Sequence, residues 1–276
     1  MRLWLAALGL LTSTLASPLY SRQTSTLPAP GIRGPTPKSE WVARYEAAKA
    51  AGQIPTFAPA KMSSTGIAGC FGDDNISDAP DGTYGVSFDE GPLPSSLALY
   101  QFLLKQNQTA THFFIGTNIV NNPDMTTLND TQILGELGWT AQAIHDFSGG
   151  LVPKFWRPPY GDVDDRVRAI AREVFNLTLV GWNRDSNDWC LNSGPGACPS
   201  YGPQSQADLE SKLRGWMVGR KSPGSCGLEH ESGDKTVGAF INTYPGIKQH
   251  GWDARCIPDL FNLSWYLNSP RNAPAH

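Results

Sequence analysis

An α/β fold built on a parallel sheet or barrel is the prediction for this chain, and three observations carry it. Short apolar segments alternate with amphipathic ones, the pattern of repeating strand and helix units. Several of the apolar segments run into polar clusters, and in such folds the loops after the strands converge on one face. The 276 residues, 40% hydrophobic and 17% charged, suit one sizeable core in one catalytic-size domain.

The elements come in this order. Thr83 to Phe88 reads as a strand ending at Asp89, and Ser95 to Lys105 as a helix with Leu99, Leu103 and Leu104 on one side. Thr109 to Ile115 is the second strand. Asn129 opens a helix with Gln132 three residues on, as in a capping box, and with Ile133, Leu137, Ala141 and Ile144 at helical spacing; it stops at Gly149-Gly150. Phe155 to Arg157 is a strand, Asp164 to Val174 a helix through Val167, Ile170 and Ala171, and Leu177 to Trp182 another strand. Ser205 to Met217 and Lys235 to Tyr244 are the final helices. No internal repeat is visible.

Upstream, Leu27-Pro28-Ala29-Pro30-Gly31 and Gly34-Pro35-Thr36-Pro37 favour extended, unpacked chain. A short helical pattern lies between Trp41 and Ala51. Residues 17–66 are therefore expected to be a spacer or pro-segment, with the domain proper running from Ile67 to Leu267 and a polar tail over 268–276.

Arg2, the apolar stretch Leu3 to Leu11 and the small-residue site Thr14-Leu15-Ala16 read as a secretory signal over residues 1–16, so a secreted, extracellular or cell-wall protein is expected. No apolar run reaches membrane-spanning length. Five sequons, at Asn75, Asn107, Asn129, Asn176 and Asn262, agree with export. The five cysteines lack CxxC spacing, so disulfides are expected rather than zinc ligation: Cys190 with Cys198 would staple one loop, Cys70 with Cys256 would tie the domain ends, and Cys226 is left over. The net charge of -3 offers no basic surface for nucleic acid or anionic lipid, and a neutral or weakly charged partner fits better. A monomer is expected.

Four strand ends concentrate chemistry: Ser87-Phe88-Asp89-Glu90-Gly91-Pro92, Arg157-Pro158-Pro159-Tyr160-Gly161, Asp185-Ser186-Asn187-Asp188-Trp189 and Leu228-Glu229-His230-Glu231. Amide hydrolysis needs a base for water, an electrophile for the developing oxyanion and an acid for the leaving amine. These clusters hold carboxylates, an arginine, a rigid turn and a histidine. Taken singly, Arg157 reads as a surface salt bridge, Pro158-Pro159 as a turn, Trp189 as core and His230 as a loop residue; four clusters in one order carry more weight than any one.

Their order and wording resemble the motifs of the polysaccharide deacetylases, carbohydrate esterases that share a homology domain with the rhizobial nodulation deacetylase, and most of all the fungal chitin deacetylases. The resemblance implies a distorted (β/α) TIM-like barrel. It makes Asp89 the general base, Glu90 the counterpart of a metal-binding aspartate, Arg157 the group that holds the base, and His230 the general acid oriented by Asp188. Tyr160, following Pro159, would bind the oxyanion through its backbone amide, and Trp189 would wall the sugar groove. Zinc or cobalt is the implied cofactor, and chitin or a related N-acetylglucosamine glycan the implied substrate.

One part of the family pattern is absent. The His-x-x-x-His metal motif belongs between the second strand and the helix at Asn129. Here Ile115 to Asp124 matches the stretch before that motif, and Met125 to Leu128 matches the stretch after it. A contiguous β/α segment is missing at the join of Asp124 and Met125. His112, His145, His250 and His276 have no ligand-pair spacing and read as structural or surface residues. The expectation is thus a chitin deacetylase-like hydrolase with little turnover as the chain stands. The alternatives are a non-catalytic secreted glycan binder, an incomplete gene model, or a metal-independent hydrolase using Asp89, Arg157 and His230 alone.

Overall fold

The computed structural model describes residues 27–29, 32–60, 75–114, 124–193 and 197–269. The expected signal segment therefore lies outside the described residues, as do Cys70 and His276. Seven strands and seven α-helices are seen among the described residues, beginning with α1 (Ser39–Ala50), β1 (Thr83–Asp89), α2 (Ser96–Gln106) and β2 (Thr111–Phe113). After them come α3 (Asp130–Phe147), β3 (Phe155–Trp156), α4 (Asp165–Phe175), β4 (Thr178–Leu179) and β5 (Arg184–Asp185). The chain continues through α5 (Gln206–Val218), β6 (Ser225–Leu228), α6 (Asp234–Gln249), β7 (Asp253–Cys256) and α7 (Ile257–Leu260).

Every strand pairing is parallel: β1 with β2, β6 and β7, β5 with β6, and β3 with β4. β1 is the centre, and its five middle residues are all buried, as a strand covered on both faces requires. Gly85 matters here, because a Cβ on it would come within 2.5 Å of Ile257 and 3.2 Å of Leu260, so its bare backbone lets α7 lie against the strand. The helices start where the sequence places them. Asn129 and Gln132 form the reciprocal capping box of α3, Asp164 caps α4 by accepting from the Val167 amide, and Ser205 caps α5 by accepting from Asp208.

Two cores result. One packs α1, α3 and α4 over β3 and β4; the other packs α2, α5 and α6 on β1. The first includes α1, which lies inside the stretch 17–66 expected to be an unpacked spacer or pro-segment. Trp41 is fully buried, edge-on to Trp139 and Phe175, and Gly138 faces its ring so closely that a Cβ there would sit 2.4 Å away. Tyr45, Ala48 and Ile54 join it, so α1 shares one core with α3 and α4. The proline signal outweighed a helix of only 12 residues whose apolar side is three residues wide.

Other boundaries also shift. The second and fourth strands are shorter than the apolar runs that predict them, β7 was not read from the sequence, and α6 continues past Tyr244 through Pro245 to Gln249. Cys190 and Cys198 form the expected loop disulfide, while Cys226 and Cys256 are buried thiols, so Cys256 carries no bond to any described cysteine. No described helix is long and apolar enough to cross a membrane.

The sheet is in two pieces, β2-β1-β6-β5 with β7 also on β1, and β3-β4. β2 has β1 as its one partner among the described residues, so the parallel layer is interrupted between β2 and β3. That interruption sits at the join where a β/α segment is expected to be missing. On its far side the chain is fastened by Arg166, fully buried, whose guanidinium donates to Asp130 at 2.7 Å and to the Thr126 carbonyl at 3.2 Å, while Asp162 accepts from the amide and hydroxyl of Thr126.

Candidate active site

The four polar strand ends converge. Asp89 closes β1 and Arg157 follows β3, and the arginine Nη1 donates to Asp89 Oδ1 at 2.5 Å. Three more of its N–H groups are engaged: Nε donates to the Val180 carbonyl at 3.2 Å, and Nη2 to the Gly181 carbonyl at 3.1 Å and the Ser87 hydroxyl at 3.2 Å. Phe113 lies 4.3 Å and Trp182 5.6 Å from the cation. A planar fork with this many fixed acceptors has one orientation, and it aims one N–H at Asp89. Arg157 is therefore an interior clamp, not a surface ion pair.

His230 follows β6, and Asp188 stands in a 3₁₀ turn after β5. His230 Nδ1 lies 2.7 Å from Asp188 Oδ1, and the His230 backbone amide donates to Asp188 Oδ2 at 2.7 Å. The carboxylate thus holds both the main chain and the ring, assigns the proton to Nδ1 and turns Nε2 toward the cleft. Burial alone would lower the imidazole, but the charge and hydrogen bond of Asp188, with smaller help from Asp89 and Glu90, raise it to about 9. His230 is consequently an imidazolium at neutral pH. Asp89 and His230 face each other across adjacent strand ends, bridged by Asp89 N to Glu229 O at 2.9 Å and Glu231 N to Asp89 O at 3.1 Å.

These groups open into one large cleft of about 1440 Å³, which Glu90, Pro159, Tyr160 and Trp189 also line, so every residue singled out from the sequence is brought to the cleft or to its immediate support. Tyr160 is mostly exposed and sits at φ +57, a left-handed backbone set by the turn that Pro158 and Pro159 lead into. Trp182, Asn187 and the exposed Tyr201 line the same cleft and went unread in the sequence, as did Ser87 behind Arg157. Only Asn187 and Ser87 lie inside a motif; Trp182 and Tyr201 carry no local signal of their own. Glu229, also unread as a site residue, points the other way, fully buried, and burial together with the nearby Asp188 charge pushes its carboxyl up to about 8.

The donor set for a metal does not fit. Among the described residues no group of three or more His, Cys, Asp or Glu side chains is arranged to hold one. Glu90 stands alone at the rim, and Asp89 is committed to Arg157. His112 bonds Glu231 and His145 bonds Asp146, as expected of structural histidines, and His250 is exposed on the far end of α6.

Comparisons with known proteins bear on the family and the fold. Residues 120–176 match a family model described as polysaccharide deacetylase. Chitin deacetylase 3 of Cryptococcus neoformans var. neoformans is 39% identical over 224 residues, covering 72% of this chain and 53% of that protein. The chain thus spans about half the length of this relative. The solved chitin deacetylase of Colletotrichum lindemuthianum superposes with a TM-score of 0.59 at 16% identity, over 71% of this chain and 96% of that one. A peptidoglycan N-acetylglucosamine deacetylase, Bc1960, gives 0.57 at 22%, over 70% and 95%. These structures share the (β/α) barrel-like fold, and among the described residues of this chain no strand pairing joins β2 to β3. With its strand-end motifs assembled in that fold, the chain belongs to the polysaccharide deacetylase family.

Proposed function

We propose that this protein is a chitin deacetylase-like hydrolase that removes N-acetyl groups from N-acetylglucosamine residues of chitin or a related cell-wall glycan and releases acetate. One observation supports this above the others: an Asp89–Arg157 pair faces an Asp188–His230 pair across a single cleft. Carboxylate and imidazolium are the two protonation states that amide hydrolysis asks for.

Asp89, turned by Arg157, takes a proton from the attacking water. His230, charged at neutral pH because of Asp188, gives its Nε2 proton to the leaving amine, and Asp188 steadies the ring through the transfer. The Tyr160 turn offers its backbone amide to the carbonyl oxygen, and Trp182, Trp189 and Tyr201 supply aromatic faces for sugar rings. Zinc or cobalt, which the family resemblance implies, finds no complete donor set among the described residues. Slow turnover is the expected consequence, because the amide carbonyl lacks its strongest electrophile.

Acetate release from chitin tetramer, with and without added zinc or cobalt, tests the proposal. Acetate formed at a rate lost in Asp89→Asn and His230→Ala supports it. Tetramer binding with no acetate above the Asp89→Asn background overturns it in favour of a glycan binder. Export is tested separately, by whether a fungal host secretes the full chain and removes the first residues.

A further inference from the structure

One part-buried hydrogen-bonded pair beside the cleft has no part in the mechanism above. His112 on β2 and Glu231, the residue after His230, meet with Nδ1 and Oε1 2.9 Å apart, and the Glu231 side chain is wholly buried. β1 lies between β2 and β6, so this pair has to cross the end of β1. It crosses at Gly91. A Cβ on Gly91 would stand 2.0 Å from Glu231 Oε1 and 2.2 Å from its Cδ, so the carboxylate occupies the volume that any side chain at position 91 would take.

The turn above that crossing carries Asp89 and Glu90. Glu90 sits at φ +78, a strained conformation for a residue with a side chain that persists only when its surroundings hold it. Backbone bonds tie the turn on both sides: Glu90 N to Phe113 O at 3.2 Å on the β2 side, Glu231 N to Asp89 O at 3.1 Å on the β6 side. The His112–Glu231 bond closes the same span from beneath. His112 itself is fixed between the rings of Phe88 and Phe114, 5.6 and 5.7 Å away, with Tyr100 edge-on at 5.0 Å.

We propose that His112 and Glu231 are positioning residues, a strut under the Asp89-Glu90 turn that sets Asp89 against Arg157 and His230. The consequence for chemistry rests on the reading of Asp89 as the base; the strut itself does not. Gly91 is required because the strut passes through the place of its side chain.

Amide hydrogen exchange on the full chain tests it, with acetate release measured in parallel. Glu231→Ala is expected to speed exchange at the backbone amides of positions 90 and 231 by at least about tenfold while the α4 amides keep their rates. Gly91→Ala should do the same alone and add nothing in the Glu231→Ala background, where the methyl enters vacated space. His112→Gln with Glu231→Gln, which keeps a neutral hydrogen bond, should restore protection. Unchanged exchange in Glu231→Ala, or an equal rise in α4, would overturn the proposal, as would additive effects of Gly91→Ala and Glu231→Ala. If wild type releases no acetate while the local exchange pattern holds, the catalytic reading fails and the strut stands. If wild type turns over, Glu231→Ala should lower kcat with KM nearly unchanged.

Discussion

Asp188→Asn is the most telling substitution, because it removes one charge and keeps the shape of the side chain. In the native protein the Asp188 carboxylate raises His230 from the ordinary 6.5 to about 9 against the opposing effect of burial. At about 1.4 kcal/mol per tenfold, that rise corresponds to roughly 3 kcal/mol of preference for the imidazolium. With an amide in place, burial becomes the leading influence and the midpoint should drop below 6.5. The sign for stability is set by the same shift. His230 has a folded value above its unfolded one, so its contribution is fully present below pH 6.5 and is lost as pH rises through 9. The assay is a proton NMR titration of the His230 ring, with denaturant midpoints at pH 6, 8 and 10 beside it. Wild type should titrate near 9, and Asp188→Asn should titrate below 6.5 and show no His230-linked loss between pH 6.5 and 9. A wild-type midpoint near 6.5, or one that Asp188→Asn leaves in place, would falsify the dyad as the source of the acid.

Three further outcomes are expected from the structure. Arg157→Lys leaves the Val180 and Gly181 carbonyls without the fork that satisfies them, so urea unfolding should show about 2–4 kcal/mol lost; an unchanged midpoint would mean the clamp is not needed. Trp41→Ala should cost about 3–5 kcal/mol and lower Tm by on the order of 10 °C if α1 belongs to the domain core, whereas a true spacer would tolerate it. Glu229 has a folded value near 8 against an ordinary 4.5, so it favours folding least once pH has risen from 4.5 through 8; Glu229→Gln should gain stability over wild type across that window, and a constant difference with pH would refute it.

The site was legible in the sequence to the extent that it is made of strand ends. Asp89 closes β1, Arg157 directly follows β3, and Asp188 and His230 come within three residues of the ends of β5 and β6; a parallel sheet carries such positions to one face without further instruction. Helix starts were equally legible, since Asn129, Asp164 and Ser205 act through neighbours three residues away. What was hidden is whatever depends on long-range neighbours. The burial of Trp41 depends on Gly138, about a hundred residues on, and the bond of His112 depends on Glu231 at a separation of 119. A proline-rich flank obscured the first and a featureless strand position the second.

The interruption between β2 and β3 bears on the metal and on the acid–base groups very differently. His230 and Asp188 hang from β5 and β6, and Asp89 from β1, all within the larger sheet piece; Arg157 reaches them from β3 by bonding backbone carbonyls at Val180 and Gly181. None of these supports passes through the join at Asp124 and Met125, and the Arg166 network fastens the chain on its far side independently. A segment missing there, as the family resemblance leads us to expect, would take its histidine ligands with it and leave the proton-transfer groups in register. Restoring a β/α unit at the join is therefore expected to bring back chelator-sensitive acetate release with the His230 titration unmoved. If restoration instead shifted His230 toward 6.5, the dyad would depend on the closed barrel, and the independence argued from these bonds would be wrong.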